Sequence, residues 1–189
     1  MKLTILTITG CLAATMALPV ITWADGNSAS NESVQTATPA TPVLLDLRSV
    51  ASDASEQAAE LVRIQGNQHL EMSAHAEVLD ALKSDINKMG AELARLEKVR
   101  TSASGVEQKA IDDAAPLLES MARNTQAAIA YLSANENGTW KPAYRTYVNN
   151  ISIASSRLSN TMGAFVQYSK TLGKEKRLEK TLGLQAGSI

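Results

Sequence analysis

The feature that most limits this chain is a spacing. From Leu44 to Leu172 apolar and small residues recur at alternating steps of three and four, and strand-type alternation is absent. Only a helix gathers such positions into one stripe, because its side chains repeat every 3.6 residues rather than every two. Four stripes can be traced. The first runs Leu44, Leu47, Ala51, Ala54, Ala58, Leu61, Gln65 and the second Met72, His75, Leu79, Leu82, Ile86, Met89, Leu93, Leu96. The third runs Ile111, Ala114, Leu118, Met121, Thr125, Ala128, Leu132 and the fourth Tyr144, Val148, Ile151, Ser155, Leu158, Met162, Phe165, Ser169, Leu172. A 3-4 alternation is the seam of helices packed nearly in parallel with their neighbours. The expected fold is all-α, an antiparallel up-down four-helix bundle with coiled-coil-like seams over residues 43–184.

The breaks between stripes support three hairpins unequally. Ser104 and Glu107 have the spacing of a capping box for the third helix. The run Asn135-Glu136-Asn137-Gly138 should close that helix, with Gly138 as a left-handed cap. Thr41 before Pro42, and Thr139 ahead of Pro142, suit helix starts. Pro116 falls inside the third helix and should kink it. Gly66-Asn67 is a turn signal, yet the first seam passes through it in phase by way of Gln65 and Gln68. The alternative is therefore three helices, the first very long.

Ahead of the bundle lie two segments of other kinds. Met1-Lys2 is followed by an uncharged apolar run from Leu3 to Ala24, with Thr22 and Ala24 before the first acidic residue, Asp25. That is the layout of a secretory signal peptide over residues 1–24. The run is also long enough for a retained membrane anchor, and Ile8-Thr9-Gly10-Cys11 is similar to a lipidation site. Residues 25–42 are rich in Ser, Thr, Asn and Pro and should form a disordered linker.

Composition removes several chemistries. The single cysteine, Cys11, lies in the export segment, so an exported chain would have no disulfide and no thiolate site. A net charge of −1 gives no basic excess for nucleic acid. There is no Walker loop, dinucleotide fingerprint or Ser-His-Asp spacing. Asp112, Asp113 and Glu119 are carboxylates expected on a solvated helix face. The seams carry no carboxylate, and Glu71 stands four residues before His75 rather than three, which disfavours a di-iron site.

Two constellations remain. His69, Met72 and His75 hold both histidines of the chain around a thioether, a set that suits copper. His69 and His75 would sit about 120° and roughly 9 Å apart on a helix, so a metal or a haem would need a ligand from another helix. Trp140, Tyr144 and Tyr147 cluster where the fourth helix begins, either as an aromatic plug or as a partner-binding patch. Nothing in the pattern calls for a cofactor or an enzyme. The reading is an exported, non-enzymatic envelope bundle that self-associates or docks to a protein partner. Membrane contact is expected only if the N-terminal segment is retained or lipidated. The metal- or haem-binding bundle is the alternative.

Overall fold

A computed structural model describes residues 38–65, 67, 72–135 and 138–183. They form four helices: α1 (Ala40–Ile64), α2 (Met72–Val99), α3 (Gly105–Ala134) and α4 (Pro142–Leu182), with a 3-10 turn at Arg100–Ser102. No strand occurs among these residues. Each helix packs on the next, α4 also packs on α1, and α1 lies diagonal to α3. This is the up-down-up-down bundle the spacing predicts. The one-long-helix alternative does not hold: α1 stops at Ile64, where Asn67 N–H closes a turn onto the Ile64 carbonyl (3.0 Å).

The seams are the core. All seven positions of the first and third stripes are buried. In α1 the stripe centre is Ala51, Ala54 and Ala58, all wholly buried. Small residues there let α2 and α4 approach closely, since interaxial distance follows side-chain size at the contact. Each fully buried Leu stabilises by about 1.5–3 kcal/mol, whereas a helix cap contributes about 1 kcal/mol. Seam burial therefore decides the fold, and the caps trim its ends. The second and fourth stripes fray: Met72 is exposed, and Leu93, Ser169 and Leu172 are only partly covered.

Polar contacts fix the register. Gln57 Nε2 donates to Asp85 Oδ2 (2.8 Å) between α1 and α2, and Asn150 Nδ2 to Asn124 Oδ1 (3.2 Å) between α4 and α3. At the α3 N-terminus the capping box forms as expected. Glu107 does more than cap: its Oε1 also accepts from Thr38 Oγ1 (2.5 Å) and Thr41 Oγ1 (2.8 Å), tying the start of α1 to α3. Burial pushes the Glu107 carboxyl up, but these hydroxyls and the Ser104 backbone outweigh it and hold it below its ordinary value.

Three helix-end expectations are corrected. Helix α1 begins at Ala40, two residues before Pro42, so Thr41 lies inside its first turn and gives its hydroxyl to Glu107. Lys141, not Thr139, is the N-cap residue of α4, with Pro142 at its first position. Gly138 has no positive φ; the left-handed cap is Gly183, at the end of α4 (φ 67°). Gly138 is required by close approach: a Cβ there would lie 2.8 Å from the Tyr131 ring.

Candidate functional site

The first candidate is a buried polar and aromatic node where α2 and α4 begin and α3 ends. His75 faces inward because it falls on the second seam, and it is wholly buried, as is Tyr144 on the fourth. Their contact is a 3.0 Å hydrogen bond between His75 Nδ1 and the Tyr144 hydroxyl, with the rings edge to face at 5.5 Å. Tyr131 stacks on Tyr144 at 6.5 Å and meets Tyr147 edge-on at 6.2 Å. His75 Nε2 is buried with no hydrogen-bond partner among the described residues, and so are Gln65 Oε1 just past the end of α1 and Thr125 Oγ1 on α3. Burial lowers the His75 pKa and raises that of Tyr144, so both are neutral near pH 7.

Two members of the proposed ligand trio lie among the described residues, and they face different ways. His75 points into the core, Met72 lies exposed one turn earlier, and His69 lies outside the described residues. Among the described residues no three His, Cys, Asp or Glu side chains are grouped to hold a metal ion. The aromatic trio is divided likewise. Trp140 is 52% exposed and Tyr147 half-buried, but Tyr144 is sealed inside, where a partner on the outside cannot touch it. Its place on the core seam of α4 is the reason, and the plug reading describes it.

The three surface carboxylates singled out in the sequence are each paired with a cation. Asp112 accepts from Arg100 Nη2 at 2.8 Å through both oxygens, Asp113 pairs with Lys109 (3.0 Å), and Glu119 lies 3.8 Å from Arg123. Two buried carboxylates amend the view that the seams lack them. Glu107 was legible only as a cap, and Asp85 stands one residue before Ile86, held by Gln57 and by Lys88 Nζ (2.8 Å). Lys88 three residues on was the only sequence signal for Asp85.

The second candidate is the far end of α4. Its last buried residue is Val166, and Leu182 stands sixteen residues further on, roughly 24 Å along the axis. Tyr168, Leu178 and Leu182 are 50%, 62% and 68% exposed there. With Ala164, Thr171 and Glu175 they form another 3-4 stripe, on a side of α4 that packs on nothing in the bundle. The charged pairs four apart in this stretch are Lys170–Lys174, Glu175–Glu179 and Lys176–Lys180, all of like sign. Such pairs cost a solvated helix about 0.2–0.5 kcal/mol each where opposite pairs would stabilise it. The pattern works against the helix as an isolated rod.

No family model matches this chain, and no curated protein or solved structure matches it.

Proposed function

We propose that this chain is an exported helical bundle of the cell envelope that works by protein–protein contact and not by catalysis. The observation that carries the reading is the second 3-4 stripe on α4, Ala164, Tyr168, Thr171, Glu175, Leu178 and Leu182, which is exposed and continues sixteen residues beyond the last buried position. A helix extension of this length is marginal in water by itself, and its Leu and Tyr side chains are the groups another helix would cover. Export is supported by the uncharged run from Leu3 to Ala24 and the polar stretch after it. No helix among the described residues is long and apolar enough to cross a membrane.

The test is photo-crosslinking in cells. A photoreactive phenylalanine derivative replaces Leu178 in the full chain, with Lys83 on the exposed face of α2 as the control position. A discrete adduct from position 178, absent from position 83 and lost when Leu182→Asp is added, is expected. Its mass separates a second copy from a different protein. Equal labelling from both positions, or an adduct indifferent to Leu182→Asp, refutes the reading.

A further inference from the structure

Charge is divided among the helices unevenly. Helices α1, α2 and α3 sum to −2, −1 and −2, whereas α4 has seven cations against two carboxylates, a net +5. From Pro142 to Lys174 α4 has no acidic residue. The six salt bridges among the described residues involve Arg63, Lys88, Arg95, Arg100, Lys109 and Arg123, none of them on α4. Arg145, Arg157, Lys170, Lys174, Arg177 and Lys180 are all exposed and make no ion pair among the described residues. A protein of net charge −1 therefore gathers a net +5 on one helix.

The cations at the end of α4 are also sorted by side. At 100° per residue, Lys170, Lys174, Lys176, Arg177 and Lys180 fall within an arc of about 160°. Tyr168, Leu172, Glu175, Leu178, Glu179 and Leu182 occupy the opposite side. The like-charge pairs four apart follow from this sorting. The two Lys–Lys pairs, Lys170–Lys174 and Lys176–Lys180, are a cost if the face meets only water, and their repulsion is offset if the face meets anions.

We propose that the basic side of α4, centred on Lys170, Lys174, Arg177 and Lys180, lies against an anionic phospholipid surface. The cations are spread over Lys170–Lys180, beyond the last buried residue, roughly 15 Å of helix, which fits several phosphates better than a single anion. Each basic residue near such a surface strengthens binding by about fivefold. The bilayer is met by the opposite side of the helix from the Leu stripe, so the protein contact proposed above stays open while the chain lies on lipid.

The test uses the full chain and sized vesicles of phosphatidylcholine, with or without phosphatidylglycerol. Any partitioning by the apolar N-terminal residues occurs into both kinds, so the ratio of the two affinities is the readout. The expected ratio is at least about tenfold in favour of anionic vesicles at low salt, collapsing at high salt. Lys174→Glu with Arg177→Glu should bring the ratio close to one with the helical circular dichroism intact, because neither residue touches the core. Leu178→Asp should leave the ratio unaltered to within about twofold, although it removes the protein contact; this separates failure of one proposal from failure of the other. Equal binding to both vesicles, or a preference untouched by the double charge reversal, overturns the proposal. So does charge-dependent binding to polyglutamate without any to anionic vesicles, which would assign the face to an acidic protein.

Discussion

Replacing Tyr144 by Phe removes one oxygen from the bundle interior and little else. The ring stays, with its edge contact to His75 at 5.5 Å and its stack on Tyr131 at 6.5 Å. What disappears is the 3.0 Å hydrogen bond to His75 Nδ1. Since Nε2 already lacks a partner among the described residues, the variant leaves both ring nitrogens buried and unpaired. Stranding a buried polar group costs about 1–3 kcal/mol, more than the bond's own net worth of roughly 0.5–1.5 kcal/mol. For a bundle of this size that lowers Tm by roughly 2–10 °C. The asymmetry makes the test sharp. His75→Leu added to Tyr144→Phe replaces both partners with apolar groups and should recover most of the loss, a coupling of about 1 kcal/mol or more. Urea unfolding followed by circular dichroism measures all four proteins of the cycle. The pH dependence checks the same node independently. Burial lowers the His75 pKa, so the unfolded chain, near 6.5, binds its proton first as pH falls. The contribution of neutral His75 is complete well above pH 6.5. It declines as pH falls through that value toward the folded pKa, by at most about 1.4 kcal/mol per pH unit. His75→Leu should flatten this slope. A Tyr144→Phe protein as stable as the parent, with the slope unchanged in His75→Leu, would refute the buried neutral pair.

Three further outcomes follow from the packing. Leu82→Asp puts a carboxylate at a wholly buried seam position; losing the Leu alone costs about 2–5 kcal/mol and the charge adds to it, so thermal unfolding should show a bundle near or past its stability limit. Gly138→Ala drives a Cβ to within 2.8 Å of the Tyr131 ring and 3.1 Å of Asn135, and should cost about 1–3 kcal/mol in denaturant unfolding. Glu107→Gln keeps the shape of the cap but weakens acceptance from Thr38, Thr41 and Ser104. The Glu107 carboxyl is held below its ordinary pKa, so its stabilisation is present above about pH 4.5 and lost as pH falls through the folded value. The variant should be less stable than the parent at neutral pH, with the gap closing in acid.

The helices were legible because period and burial are the same fact seen twice. In α1 and α3 every stripe residue is buried, and no tertiary contact had to override the pattern. The helix ends were less legible, because a side chain near an end has several uses for one hydroxyl. Thr41 has the composition of a cap, yet its oxygen goes to Glu107, sixty-six residues away, and no local rule anticipates that bond. Gly138 was recognised as necessary for the wrong reason. Its lack of a side chain matters, not its backbone freedom, and the need arises from an aromatic ring seven residues earlier. Phase continuity across Gly66-Asn67 left one long helix open as the alternative, since two antiparallel helices can share a register by coincidence.

The candidate sites divide along the same line. That His75 and Tyr144 each sit on a core seam could be read from spacing; that they meet depends on which ends of α2 and α4 come together, and only the bundle topology supplies this. The exposed end of α4 inverts the case. Its charges, Leu stripe and like-sign pairs are all present in the sequence, but the pattern alone does not say whether that helix end meets water or a partner. The distinction lies in what the rest of the molecule does with its ions. Arg100 reaches Asp112 across the α2–α3 turn, and Lys109 finds Asp113 on its own helix. Arg48, Lys83 and Lys98 also stand outside the six salt bridges, but on helices of net negative charge, whereas α4 gathers its cations into a net +5. Cations gathered on one helix repel one another, and a surface of opposite sign offsets that cost.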